Sequence, residues 1–357
     1  RGCWSSPSAS SEPDNDDGSL DVIASEPRSM DGTSLLAWLR VFVLICCLGI
    51  AARSDYASLT VRDRHWMTWS APVTILLISE MVILETTASN FYMVAALLSI
   101  SSLAVLGAPD PRDIPKWEQN QLALAVLYLI GIVGLFGGAS QYANPDFVSL
   151  VLGEESSETM LWWSMIGAFI TVLAYLSAWR FGLIQGGADV KALILLTVLM
   201  PSWAFLPEPL LTPEGTLFKL PPSMVMFLWA SAVFLLAPPI LIFQNAMRGN
   251  IESRADLKMA WHATKRPIED IGGRPVWLLT EVIPSDDDAD SRIVNRFLPG
   301  ATTPTVEELA ERLAELQSHG VESAWIATKH PFIVYLFFAI APLLLIGDPM
   351  GILASMT

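Results

Sequence analysis

Apolar residues fall along this chain in long, nearly unbroken runs, not in the alternating or three-and-four spacing of half-buried elements. The stretches 34–52, 68–87, 91–108, 121–139, 160–179, 191–207, 223–245 and 331–346 are such runs, each bounded by charged or Pro-rich loops. Each approaches or exceeds the roughly 18–20 residues that cross about 30 Å of hydrocarbon. The pattern predicts an all-α polytopic membrane protein of about eight transmembrane helices. It changes between the seventh run and the last, where 247–329 reads as a small α/β or α+β insert. There Pro275-Val276-Trp277-Leu278-Leu279 favours a strand, and Thr305-Val306-Glu307-Glu308 is a capping box that opens a helix. Leu309, Leu313 and Leu316 share one face of that helix, Glu308 and Arg312 are spaced as an i,i+4 pair, and Gly320 sits where a C′ glycine stops the turn. The expected organisation is a disordered acidic tail over 1–33, a membrane domain over 34–246, the insert over 247–329, and a last transmembrane helix with its tail over 330–357.

Composition agrees with a lipid solvent: 52% of the 357 residues are hydrophobic and only 16% are charged, against about one quarter charged in an ordinary globular domain. The formal charge of −15 argues against a nucleic-acid partner. It is unevenly spread, with much of it in the tail, in Glu154, Glu155 and Glu158, and in the Asp286-Asp287-Asp288 run. Cys3, Cys46 and Cys47 build neither a zinc cluster nor a disulfide framework. His262 and His319 in the insert read as surface or packing residues, and no metal or cofactor is called for. Lys and Arg gather in alternate loops, namely Arg53, Arg62 and Arg64, then Arg112 and Lys116, then Arg180 and Lys191, then the stretch from Arg248 to Lys329. The positive-inside bias makes those loops cytoplasmic. Eight spans then leave both termini outside a plasma membrane and the insert in the cytoplasm.

Two carboxylates stand at the ends of apolar runs on that same side, where charge is costly unless solvated, paired or functional. Asp55 follows the first run, in Ser54-Asp55-Tyr56-Ala57-Ser58-Leu59-Thr60-Val61-Arg62-Asp63-Arg64-His65-Trp66. Asp189 precedes the sixth, in Gly186-Gly187-Ala188-Asp189-Val190-Lys191-Ala192-Leu193. Taken alone, the second reads equally as a helix start with Asp189 near the N-cap, and the first as a solvated Asp among arginines. Taken together they point to peptide hydrolysis, because like charges a few ångströms apart share one proton and so supply a base and an acid at once. Gly186 and Gly187, lacking Cβ, let the backbone leave helical geometry and a substrate strand come close.

On these residues the chain resembles the archaeal prepilin and preflagellin peptidases, membrane aspartyl proteases of the Gly-x-Gly-Asp class. Asp55 is followed at the family's spacing by Val61, Asp63 and Trp66, Asp189 closes the glycine motif ahead of Lys191 and Pro201, and Pro331-Phe332-Ile333-Val334 leads to Gly347-Asp348 in the last run. The tail and residues 67–160 carry no part of the resemblance. It implies that Asp55 and Asp189 are the catalytic pair, supported by Gly186, Gly187, Ala188, Lys191 and Arg62. Ala188 stands for the second glycine, Leu59 for an expected Arg and Ala57 for a basic residue, so Arg62 is the nearest substitute for the missing cation. Anchoring the alignment on Arg62 would instead put Ser58 at the catalytic position and make the chain inactive. Two membrane helices are added between the aspartates relative to the family, and an even number keeps both on one side.

The implied substrate is a pilin-like or archaellin-like precursor, cut between its basic cytoplasmic leader and its hydrophobic helix, with the bilayer as the other partner. Two further readings stand beside this one. The first is a proton- or cation-coupled transporter subunit using Asp55, Asp189, Glu80 and Glu85, although the two glutamates diverge by about 140° on a helix and no internal repeat is seen. The second is an inactive family member serving as a membrane scaffold.

Overall fold

The computed structural model describes residues 32–107, 119–152, 154–211, 219–271, 276–283, 292–298, 300, 304–328 and 331–350. The expected tail up to residue 31 with Cys3, the cations Arg112 and Lys116, and the Asp286–Asp288 run lie outside the described residues. The first half is helical: α1 (Gly32–Ser58), α2 (Asp63–Ile83), α3 (Ala88–Ser102), α4 (Gln119–Tyr142), the short α5 (Phe147–Leu152), α6 (Ser157–Arg180) and α7 (Gly187–Leu199). After a 3₁₀ turn at Trp203–Phe205 come α8 (Pro222–Phe234), α9 (Ala237–Met247) and α10 (Arg254–Ala260). The mixed region holds β1 (Thr264–Pro267), β2 (Trp277–Leu278), β3 (Thr280–Ile283), β4 (Arg292–Asn295), α11 (Val306–Ser318) and β5 (Ser323–Ala327), and α12 (Phe332–Phe338) and α13 (Ile340–Leu345) follow.

Among the described residues, five helical stretches are long and apolar enough to cross a membrane: α1, α2, Gln121–Tyr142 within α4, α6, and α8 with α9 as Pro222–Met247. Three expected spans correspond to shorter helices. α3 has 15 residues and α7 has 13, which at 1.5 Å per residue reach only about 20 Å; α12 and α13 break at Ala339. The run expected over 191–207 starts four residues early and stops at Met200, because Pro201 ends the helical ladder. A helix so short fits because protein surrounds it. α7 packs on α1, α2, α3, α6, α8 and α12, and eight of its residues are buried, as expected of a helix that is apolar all round.

The closest helix pair, α3 with α4, follows from glycine on α4. A Cβ at Gly131 would lie 2.7 Å from Ala96 Cα, one at Gly134 2.3 Å from the Tyr92 carbonyl carbon, and one at Gly138 1.9 Å from Trp162 Nε1 on α6. Where lipid solvates both helices equally, such backbone approach supplies the dispersion contacts that hold them together. The starts of α3 and α6 are tied by Glu158 of α6, which accepts hydrogen bonds from the Thr87 N–H (3.1 Å) and from Asn90 Nδ2 (2.5 Å).

In the mixed region β5 is the centre of a three-stranded antiparallel sheet, with Thr264 of β1 opposite Ile326 and Leu278 of β2 opposite the same residue. β3 and β4 pair separately, with Thr280 opposite Asn295. The box at Thr305 and Glu308 closes in both directions, Leu309 and Leu316 are buried, and Gly320 takes the left-handed φ of +75°. Arg312 does not pair with Glu308, whose carboxylate is spent on the cap; it turns to Glu281 on β3 at 3.7 Å.

Gly134→Leu should therefore open the α3–α4 contact and lower stability by about 1–3 kcal/mol, the usual cost of overpacking. Thermal unfolding in detergent reads this, with Gly167→Ala as the silent comparison, since a Cβ there meets nothing within 4 Å.

Candidate active site

Two carboxyl groups lie at helix ends, one in the last turn of α1 beside the start of α12 and one in the first turn of α7. Asp55 lies in the last turn of α1 and is 7% exposed. The helix stops just after it because Leu59 takes a left-handed φ of 54°, with its N–H on the Asp55 carbonyl at 2.8 Å. The Asp55 carboxyl accepts a hydrogen bond from the backbone N–H of Ile333. Ile333 sits in the first turn of α12 behind the N-cap Pro331, so this donor is one of the N–H groups that a helix leaves without an internal partner.

Asp189 is in the first turn of α7, and its N–H bonds to the carbonyl of the N-cap Gly186 at 3.1 Å. Its carboxyl folds back over that start. A Cβ at Gly186 would lie 1.9 Å from Asp189 Oδ2, and one at Gly187 3.3 Å from the Trp179 ring. The first glycine thus makes room for the aspartate's own carboxyl, a more local reason than the approach of a substrate strand. The charges of Asp189 and Asp55 act on one another. Both sit at or beside helix N-termini, whose partial positive charge favours an anion.

The surrounding motif residues divide into those drawn to the pair and those left out. Lys191 Nζ meets Asp63 Oδ1 at 2.5 Å, so a residue of the second motif is joined to one of the first. Residues 189 and 191 are about 200° apart on a helix, so Lys191 faces away from the carboxyls. It lines, with Ile194, Leu195 and Val198, an apolar cavity of about 260 Å³ against α2, α3 and α4. Ala188 is half-buried against the core. Arg62 is exposed at the N-cap of α2 and makes no capping bond, so the orienting donor on Asp55 is Ile333 and not this cation. Ser58 is exposed and its hydroxyl closes the turn onto the Ser54 and Thr60 carbonyls; of the two alternatives it is Asp55 that faces inward. Gly347 and Asp348 act at the other end of the last helix, where Asp348 accepts from the Leu220 N–H at 2.7 Å and Trp229 donates to the Gly347 carbonyl at 2.9 Å. Glu85 is exposed in the turn after α2 at a φ of 50°. Among the described residues, no three His, Cys, Asp or Glu side chains come together as a metal site.

A second charged pair was not anticipated from sequence. Arg40 of α1 is fully buried and is hydrogen-bonded to Glu80 of α2, itself 4% exposed. A second guanidinium nitrogen reaches the Leu76 carbonyl at 3.2 Å, and the Phe205 ring covers the group at 4.9 Å. The signal was present as a cation in the middle of the run 34–52, where an ionisable residue asks for a partner. Pairing with Arg40 also takes Glu80 out of the set available to bind ions. No protein family, curated protein or solved structure matches the chain.

Removing one member of this pair leaves a buried charge. Arg40→Met and Glu80→Leu should each cost about 3–5 kcal/mol, whereas the double variant should recover most of it; a double-mutant cycle on unfolding in detergent reads the difference. Leu59→Gly should gain about 1 kcal/mol by relieving the left-handed residue, seen as a raised unfolding midpoint.

Proposed function

We propose that this chain is a membrane aspartyl endopeptidase of the prepilin-peptidase type, with Asp55 and Asp189 as its catalytic pair. The observation that carries the reading is that these two carboxyls, from helices far apart in sequence, lie near enough for the charge of Asp55 to act on Asp189, with the start of α12 supplying the Ile333 N–H to Asp55. Two carboxyls that share one proton provide the chemistry. The ionised member takes a proton from a water that attacks the scissile carbonyl; the protonated member donates to the carbonyl oxygen, and the pair then protonates the leaving amine. The Ile333 N–H, as a fixed donor, holds the Asp55 oxygen in place through the cycle. The reaction draws on no cofactor.

In this reading α3, α7 and the α12–α13 pair are counted with the five long stretches as eight crossings of a plasma membrane. Both termini are then outside, with the carboxyls and the mixed region at the cytoplasmic face. The substrate is a precursor with a short basic leader ahead of a hydrophobic helix, of the pilin or archaellin kind. Its helix lies in the bilayer while the extended junction reaches the pair. Gly186 leaves room for the Asp189 carboxyl to fold back over the start of α7.

Cleavage of a bilayer-embedded prepilin-like substrate tests this directly. Asp55→Asn and Asp189→Asn should each abolish loss of the leader, while Ser58→Ala should cut at the wild-type rate; wild type that leaves several such leaders intact overturns the reading. The same assay across pH should pass through a maximum, because a doubly protonated pair lacks the base and a doubly ionised pair lacks the acid. Gly186→Ala should lower the rate at least tenfold with the unfolding midpoint nearly unchanged, since its Cβ displaces the Asp189 carboxyl and no backbone.

A further inference from the structure

Large apolar side chains remain exposed past the end of the last long helical stretch. On α9 the outward stripe is Ile240, Phe243 and Met247, at the spacing of one helix face. α10 then buries Met259 and Ala260 and exposes Leu257 and Trp261 one turn apart, flanked by the exposed cations Arg254 and Lys258, also one turn apart. These four side chains span about 100° of the helix. Phe297 and Leu298, just after β4, are exposed as well, Leu298 by 72%. The His262 ring meets Phe297 edge-on at 4.6 Å, which brings the end of β4 beside the end of α10.

This surface is held at a fixed place relative to α9. Asn245 of α9 is fully buried. It donates to the Ala263 carbonyl at 2.9 Å and accepts from the Lys265 N–H and from Asn250, while Asn250 donates to the Lys265 carbonyl. The segment that carries Leu257 and Trp261 is therefore tied on both sides to α9 by amide hydrogen bonds, and Phe297 is beside it through the His262 ring. An aromatic and aliphatic face rimmed by Lys and Arg, following in the chain on an exposed apolar stripe of α9, matches the boundary between headgroups and acyl chains.

We propose that Leu257, Trp261, Phe297 and Leu298, with Arg254 and Lys258, form a lipid-docking surface that lays the mixed region against an anionic leaflet. The apolar side chains enter the headgroup boundary and the two cations meet lipid phosphates. The proposal rests on α8 and α9 crossing the membrane. Because β5 leads within a few residues to Ile333, the surface also fixes the approach of the chain to Asp55.

The full chain in nanodiscs, with its three native cysteines replaced by Ala, tests it through single nitroxide labels at Phe243→Cys, Leu257→Cys, Leu298→Cys and Glu311→Cys. Oxygen should relax the labels at 257 and 298 more than a water-soluble nickel chelate does, and the order should reverse at Glu311, which is exposed on α11. Labels at 257 and 298 that behave like the one at 311, with Phe243 immersed, overturn the docking surface and leave the span intact. A Phe243 label that behaves like 311 overturns the span itself. Immersion at 257 should be greater with phosphatidylglycerol than with phosphatidylcholine alone, and Arg254→Gln with Lys258→Gln should remove that difference; equal immersion in both lipids overturns the part assigned to the cations.

Discussion

A charge left alone among apolar helices costs several kcal/mol, and α1 carries two ionisable groups that the packing has to accommodate. Arg40 meets Glu80 and the Phe205 ring; four turns later Asp55 meets the Ile333 N–H. The partners come from α2, from the turn after α7 and from α12. Satisfying α1 thus fixes most of the neighbours of the central helix. The Lys191–Asp63 pair adds a further tie between α7 and α2 at the end where the carboxyls lie. The place of α1 beside α7 is set by polar contacts that each helix makes to common neighbours, α1 to α2 and α12 and α7 to α2, and by apolar packing between them.

The same rule operates where the helical bundle joins the mixed region. Asn245 would be an expensive residue to bury, yet its amide is taken up by the Leu241 carbonyl one turn back and by backbone and amide groups of the segment that follows. Asp348 does this at the far end of the last helix, tying it to the entry of α8. Polar side chains in this protein mark the joints between elements, and the apolar ones fill the space between joints.

Much of this was legible in the sequence, because long apolar runs, a capping box and a glycine stop depend on local order. Asp55 and Asp189 were singled out from their position at the ends of such runs. What sequence order does not carry is the choice of partner. Arg312 was paired with Glu308 by spacing, but the cap claimed that carboxylate and Glu281 took the arginine. Glu80 was weighed against Glu85 on its own helix, and its true partner Arg40 came from another. The run at α7 is long enough in composition for a full span, but the ends of its helix are set by Gly186 and Pro201. The role of Gly186 followed from a side-chain rotamer three residues on, which no spacing rule encodes.

The bond from Ile333 to Asp55 has a consequence for how the chain tolerates change. A main-chain donor belongs to no particular side chain, so substitutions at position 333 that keep the helix start also keep the bond, with proline as the exception because it has no N–H. Leu59 follows Asp55 one turn on and brings no charge to it, and the carboxyl is held all the same. The orientation of Asp55 is in this sense inherited from the fold and not from the residues around it, which lets the surrounding sequence vary widely while the geometry persists.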